Sequence, residues 1–131
     1  FGVGEVAATA TGADNGQTDD HSTFYVTYVY GPVTVGYQET DIETYTAAET
    51  DDVRTRWGVL YAVNDELSIS YSQIENESSQ DSATDEEASG WSASYTVGSM
   101  TFKAHRNKGT NLGNIASMES EHTEVGVTFA F

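Results

Sequence analysis

Basic side chains are rare in this sequence, so their spacing is the first indication of the chemistry that the chain carries. Five lysines and arginines stand against 21 aspartates and glutamates. Arg54 and Arg56 are two residues apart, which places both on one face of a β-strand. Lys103 and His105 repeat that spacing. Each pair would line the wall of a water-filled pore, pair with an inward acid such as Glu124 in a packed interior, or lie at a solvated rim.

The sequence contains no residue pattern typical of an active site. Its three histidines, His21, His105 and His122, have no His-x-His or His-x-x-x-His spacing, and Glu121-His122 alone indicates a wall or rim pair. There is no Gly-x-Ser-x-Gly motif, glycine-rich phosphate loop or His-Glu-x-x-His motif. Cysteine is absent, which excludes a thiolate nucleophile. We therefore predict that the chain is not an enzyme and has no metal centre or cofactor.

The acidic residues are concentrated in a few polar segments. A net charge of −16 repels phosphate backbones, so we expect no nucleic-acid partner. The simplest interpretation of these segments is a solvated external surface. The alternative is Ca²⁺ binding, because hard oxygen ligands suit that ion, although no EF-hand spacing is present. The acids concerned are Asp14, Asp19, Asp20, Glu49, Asp51, Asp52, Glu75, Glu77, Asp81, Asp85, Glu86 and Glu87.

Between the acidic segments, apolar and polar side chains alternate with the period of a β-strand. Tight turns at Gly31-Pro32, Asn64–Glu66 and Gly98-Ser99 follow the second, fourth and sixth predicted strands, and longer polar connectors follow the others. This arrangement predicts an antiparallel up-and-down meander with short turns at one end and long loops at the other. The eight predicted strands are Phe1–Thr11, Ser22–Tyr30, Val33–Thr44, Val53–Val63, Leu67–Ser72, Gly90–Val97, Met100–His105 and residues 120–131.

The two faces of these strands suit different surroundings. The apolar faces carry bulky residues such as Trp57, Tyr95 and Phe129, with no amphipathic helix to cover them, whereas the opposite faces carry residues such as Ser70 and Ser92. Mean hydropathy is −0.45, and no run approaches the roughly 18–20 apolar residues of a membrane helix. In a barrel strand, polar residues alternate with apolar ones, so the mean hydropathy is low even when one face is apolar. The pattern therefore predicts an all-β, antiparallel transmembrane β-barrel, with lipid outside and water or a polar network inside.

The last residues of the chain alternate most regularly. Val125, Val127, Phe129 and Phe131 share one face of a strand, and small or polar residues separate them. Chain termini usually fray, but a strand that closes a barrel needs regular pairing to its end. Together with the turn–loop polarity and the segment Trp57–Tyr71, this ending resembles the general diffusion porins of Gram-negative bacteria, especially those of α-proteobacteria. By that resemblance, these four apolar residues would face the membrane and form the carboxy-terminal assembly signal.

The resemblance implies a bacterial outer-membrane location and a water-filled channel for passive diffusion of small hydrophilic solutes and ions. It implies a sixteen-stranded, homotrimeric barrel with short periplasmic turns and long external loops. The implied partners are the lipid bilayer, lipopolysaccharide and the barrel-assembly machinery. The expected pore-lining residues are Arg54, Arg56, Lys103, His105 and Glu124.

The length of the chain leaves alternatives open. Sixteen strands need about twice as many residues as the 131 present at this strand spacing, so we expect residues 1–131 to form the carboxy-terminal half of one porin domain. The sequence begins at Phe1 without the basic and apolar regions of a leader peptide. We therefore expect a mature product or a fragment. Eight strands also suffice for a small closed barrel with a structural or adhesive role. A soluble β-barrel binding protein is the remaining alternative. In a membrane, Arg106 would snorkel or meet lipopolysaccharide phosphates.

Overall fold

The fold is described by a computed structural model over residues 10–11, 18–44, 50–79 and 84–130. In these ranges the chain is an all-β antiparallel meander with one short 3-10 helix, Leu112–Asn114. Within the same ranges, no helix has the length and apolarity needed to span a bilayer. The strands are β1 (Ala10–Thr11), β2 (Thr18–Tyr30), β3 (Val33–Thr44), β4 (Thr50–Ala62), β5 (Leu67–Ser78), β6 (Glu86–Val97), β7 (Met100–Thr110) and β8 (Ser120–Phe129).

Each strand pairs with the next one along the chain, which confirms the predicted meander. Strands β2 to β8 are 10 to 13 residues long and form the body of the sheet, while β1 adds only a two-residue pairing with β2. The sheet is not closed: among the described residues β8 pairs with β7 alone, and only Ala10 and Thr11 border the other edge of β2. Most of the predicted first strand, residues 1–9, lies outside the described residues.

The predicted alternation of short turns and longer connectors is confirmed. Gly31 (φ 54°) and Gly98 (φ 58°) adopt left-handed backbone conformations that strain any residue with a side chain. A positive φ followed by the fixed negative φ of Pro32 is the pattern of a type II′ hairpin turn. In the β4–β5 turn, Asn64 Oδ1 accepts a hydrogen bond of 2.9 Å from the Glu66 N–H. These three turns lie at one end of the sheet, and the longer connectors lie at the other.

The strands extend further toward the connector end than the sequence predicts. β5 continues to Ser78 rather than ending at Ser72, β6 begins at Glu86 rather than Gly90, and β7 reaches Thr110. Backbone pairing with a neighbouring strand overrides the low β propensity of acidic residues, because that propensity depends strongly on context. Acids predicted in connectors therefore lie in strands, namely Asp19, Asp20, Asp51, Asp52, Glu75, Glu77, Glu86 and Glu87. Asp14, Glu49 and Asp81 lie outside the described residues.

No hydrophobic side chain is buried within the described part of the chain. Its strands form one sheet, in which Trp57, Tyr95 and Phe129 are 41%, 41% and 55% exposed. A domain that folds in water is built from packed layers that remove such side chains from solvent. This sheet instead leaves its large apolar residues exposed.

Candidate functional site

One face of β2–β8 carries the large apolar side chains in a continuous stretch, which we call the apolar band. Cross-strand register places Tyr37 opposite Trp57 and Tyr71 opposite Trp91. On β6 the band runs from Trp91 to Val97, about 20 Å at the usual rise per residue. The band comprises Phe24, Val26, Tyr28, Tyr30, Val33, Val35, Tyr37, Trp57, Val59, Tyr61, Leu67, Ile69, Tyr71, Trp91, Ala93, Tyr95, Val97, Met100, Phe102, Ala104, Val125, Val127 and Phe129.

Aromatic residues mark the limit of the apolar band toward the connectors. The rings of Trp57 and Tyr71 contact each other in a tilted arrangement, with centroids 5.5 Å apart. Beyond Tyr71 and Trp91 the same face continues with Gln73 and Ser89, which are register partners. Tyrosine and tryptophan combine an apolar ring with a polar tip, so they are suited to a boundary between apolar and wet surroundings.

The band face becomes charged beyond this aromatic boundary. Arg106 lies opposite Trp91, and its guanidinium donates from Nε to Glu121 Oε1 at 3.1 Å and from Nη2 to Glu121 Oε2 at 2.9 Å. Lys108 lies opposite the same glutamate. Arg106 is therefore on the band side of the sheet, as its sequence parity predicts. The other charged residues here are the acids Glu39, Asp41, Glu43, Asp51, Glu75, Glu77 and Glu87.

The opposite face, which we call the polar face, carries mainly small and polar side chains. Its central row passes through Gly36, Gly58, Ser72 and Gly90 in four neighbouring strands. The space above Gly36 is open, since nothing lies within 4 Å of an added Cβ there, whereas the Asn107 side chain covers Gly90. Hydroxyl pairs bridge neighbouring strands on this face: Thr23 with Thr40 at 3.1 Å, Ser70 with Ser92 at 2.8 Å, and Thr96 with Thr101 at 3.1 Å.

A groove of about 390 Å³ lies over this row on β2–β5. Gly36 and Gly58 lie at its floor, and Tyr25, Gln38 and Arg56 line its sides. Arg56 is thus one of the residues that line this groove.

The predicted basic residues share the polar face but lie in two separate places. Arg54 and Arg56 are on β4, and Lys103 and His105 are on β7. The register row through Lys103 crosses β4 at Ala62, six residues from Arg56. That is about 20 Å along the strand, and three strand spacings add about 14 Å across the sheet. Arg56 therefore lies at the groove, whereas Lys103 and His105 lie toward the short turns.

His105 and Glu124 are brought together, and a third side chain joins them. His105 Nε2 lies 3.6 Å from Glu124 Oε2, and His122 Nε2 lies 3.5 Å from the same oxygen. The two imidazole rings have centroids 5.9 Å apart. Sequence spacing did not single out His122, because 105 and 122 become neighbours only through the β7–β8 pairing. One feature of the sequence does connect the three residues. The alternation of faces along each strand places His122 and Glu124 on the same face as His105.

The terminal residues expected to face a membrane belong to the apolar band. Val125, Val127 and Phe129 are exposed on the band side of β8, Val125 to 74%. Phe131 lies outside the described residues. Their contact with lipid and their role in assembly remain predictions.

Comparison with known proteins does not assign the chain to a family. No protein-family model matches the chain, and neither a curated protein nor a solved structure matches it. The functional interpretation therefore depends on the apolar band, the polar face and the side chains placed on them.

Proposed function

We propose that this chain forms strands of an outer-membrane β-barrel of the porin type, whose polar face lines a water-filled channel for passive diffusion of small hydrophilic solutes and ions. The observation that carries the proposal is the division of one sheet into an exposed apolar band and an opposite polar face. Exposing apolar surface to water costs roughly 25 cal/mol per Å². A bilayer removes that cost, because acyl chains cover the band while paired strands satisfy their backbone groups.

The dimensions of the strands support a membrane position. Strands β2–β8 contain 10 to 13 residues, and about 9–11 tilted residues cross a bilayer. The band would occupy the hydrocarbon region, with Trp57 and Trp91 at an interface, where aromatic rings are enriched. Arg106 and Lys108 would then lie at headgroup level, where lipopolysaccharide phosphates are their expected partners.

Two features support a channel over a packed interior. The interior of an eight-stranded barrel is filled by side chains, but the central row of this polar face is glycine and serine. Within the described residues, Arg54 and Arg56 form no ion pair. A filled, dry interior requires such charges to be paired, whereas water in a channel solvates them.

Among the described residues, the sheet has edges without partner strands, so we extend the proposal to a larger barrel. Unpaired strand edges are not tolerated in lipid, so the edges of β8 and β2 that have no partner in the described part of the chain need partner strands in a bilayer. We expect further strands to complete a sixteen-stranded barrel in the bacterial outer membrane, inserted by the barrel-assembly machinery and assembled as a homotrimer.

The test is single-channel recording of the protein, produced as its gene encodes it, in planar bilayers. We expect stepwise conductance, and we expect Arg56→Gln to shift the reversal potential in a KCl gradient toward K⁺ preference, because it removes a positive charge from the channel wall. Arg106→Gln is the matched control: it removes the same charge from the band face and should leave the reversal potential unchanged.

Three outcomes separate the alternatives. Conductance that responds to Arg56 and not to Arg106 supports the channel. A bilayer-inserted, heat-modifiable protein without conductance contradicts it and favours a closed barrel with a structural role. A protein that stays monomeric in water without detergent contradicts membrane insertion and favours a soluble binding protein.

A further inference from the structure

We propose that His105, His122 and Glu124 form a binding site for a divalent transition-metal ion of the Zn²⁺ type on the polar face of the terminal hairpin. The site does not depend on channel function, because its three side chains are accessible on the polar face whether or not the sheet lies in a membrane. It is built from the one place in the described residues where two imidazoles and a carboxylate converge within 4.8 Å.

Two of the three separations between donor atoms fit tetrahedral coordination, and all three donor atoms lie within 4.8 Å of one another. Glu124 Oε2 lies 3.6 Å from His105 Nε2 and 3.5 Å from His122 Nε2. Donor atoms about 2.0–2.1 Å from a tetrahedral Zn²⁺ are separated from one another by about 3.3–3.4 Å. Both contacts to Glu124 are within a few tenths of an ångström of that edge length, and the distance between the two imidazole nitrogens must adjust to it when an ion binds.

Two paired strands hold the donors in place. His105 on β7 lies directly opposite Glu124 on β8, and His122 lies two residues before Glu124 on the same face. All three residues sit in continuous strand, with backbone pairing from Gly109–Ser120 to Met100–Phe129. Ligands on regular elements are held more rigidly than ligands on loops, so less ordering is required when the ion binds.

The donor types select the class of ion. Two imidazole nitrogens and one carboxylate oxygen suit Zn²⁺, Co²⁺ and related transition metals, whereas Ca²⁺ and Mg²⁺ prefer a shell of oxygens. Three protein ligands leave one tetrahedral position for water or a solute atom. The ion would also link β8 to β7 through side chains, and an ion that binds only the folded chain stabilises it.

The experiment is titration of the chelator-treated protein, in the detergent used for its purification, with Zn²⁺ followed by calorimetry and with Co²⁺ followed by visible absorption. We expect one tight Zn²⁺ site per chain, a tetrahedral Co²⁺ spectrum, and a higher unfolding temperature with Zn²⁺. Replacing a group that merely supports a ligand weakens metal binding about 10–100-fold, so His122→Gln should weaken it by at least about 100-fold.

Matched variants decide the outcome. His21→Gln removes the remaining histidine of the sequence, which belongs to β2, and Glu121→Gln removes an acid adjacent to His122 but on the band face. Both should retain the Zn²⁺ affinity and the Co²⁺ spectrum. Equal Zn²⁺ affinity in His122→Gln and His21→Gln overturns the site, as does Ca²⁺ competing with Zn²⁺ at equal concentration, which would assign the binding to acidic side chains. Circular dichroism of each variant checks that the sheet is retained.

Discussion

Neighbouring residues of β7 meet opposite surroundings. His105 lies on the polar face beside Glu124, whereas Arg106 lies on the band side, where Glu121 holds its guanidinium at 2.8 Å. Both are basic residues with an acidic partner on β8, so residue type alone does not distinguish their roles. The two-residue period of the strand does, because it sends successive side chains to opposite faces.

The same adjacency on β8 provides a test of which face meets lipid. Val127 belongs to the apolar band and Thr128 to the polar face. A lysine at the lipid-facing centre of a barrel strand costs roughly 2–4 kcal/mol, while a lumen-facing lysine is solvated. We therefore expect Val127→Lys to lower the free energy of unfolding from liposomes by about that amount, measured by urea titration. Thr128→Lys should change it by much less. Equal effects of the two lysines would contradict an orientation in which the apolar band faces lipid and the polar face meets water.

At the level of elements, the three short turns limit how the strands can pair. Each turn joins two strands whose partners are fixed residue by residue up to the turn, such as Val97 with Met100. A slip of one residue would move the whole apolar band to the other face. The register therefore depends on turns that hold one geometry, which glycines with positive φ provide in two of the turns and the Asn64 side chain provides in the third.

The contribution of one turn can be measured with a pair of glycine variants. Gly98 has φ 58°, whereas Gly36 has extended backbone and nothing within 4 Å of an added Cβ. The left-handed conformation costs a residue with a side chain roughly 1–2 kcal/mol, so Gly98→Ala should lower the free energy of unfolding by about that amount. Gly36→Ala should be neutral or raise it by up to about 1 kcal/mol, because it restricts the unfolded chain. Urea unfolding in detergent micelles provides both values, and equal destabilisation by the two variants would contradict a special role for the turn.

The strand ends illustrate where local sequence is insufficient. Glu75 lies directly opposite Glu87, although like charges at such positions are unfavourable. Alternation of apolar residues disappears there, so the sequence pattern indicated a connector. Backbone pairing nevertheless continues to Ser78 and from Glu86, because hydrogen bonds between backbone groups do not depend on an alternating apolar pattern.

For the molecule as a whole, the central property is a net charge of −16 combined with an uncovered apolar band. The charges lie mainly on the connector side of the aromatic boundary, and the apolar residues lie on the turn side. This distribution is compatible with a bilayer, because the charged part of each strand can extend into the headgroups and water beyond the hydrocarbon.

The two tryptophans of the sequence allow that position to be measured. Trp57 and Trp91 are 41% and 46% exposed at the boundary of the band. In liposomes we expect brominated acyl chains to quench their fluorescence, more strongly with bromine near the headgroup than near the bilayer centre. The double variant Trp57→Phe/Trp91→Phe should lose this quenching. Strong quenching by aqueous acrylamide with none by brominated lipid would contradict membrane insertion.

The meander order of β2–β8 and the two dissimilar faces followed from the alternation of side chains and from the turn residues, because those signals act over a few neighbouring positions. The true strand ends and the separation of Arg56 from Lys103 did not, because they depend on pairing between strands. The cluster of His105, His122 and Glu124 is the clearest case. Three residues without metal-binding spacing become neighbours only when the β7–β8 register sets them side by side.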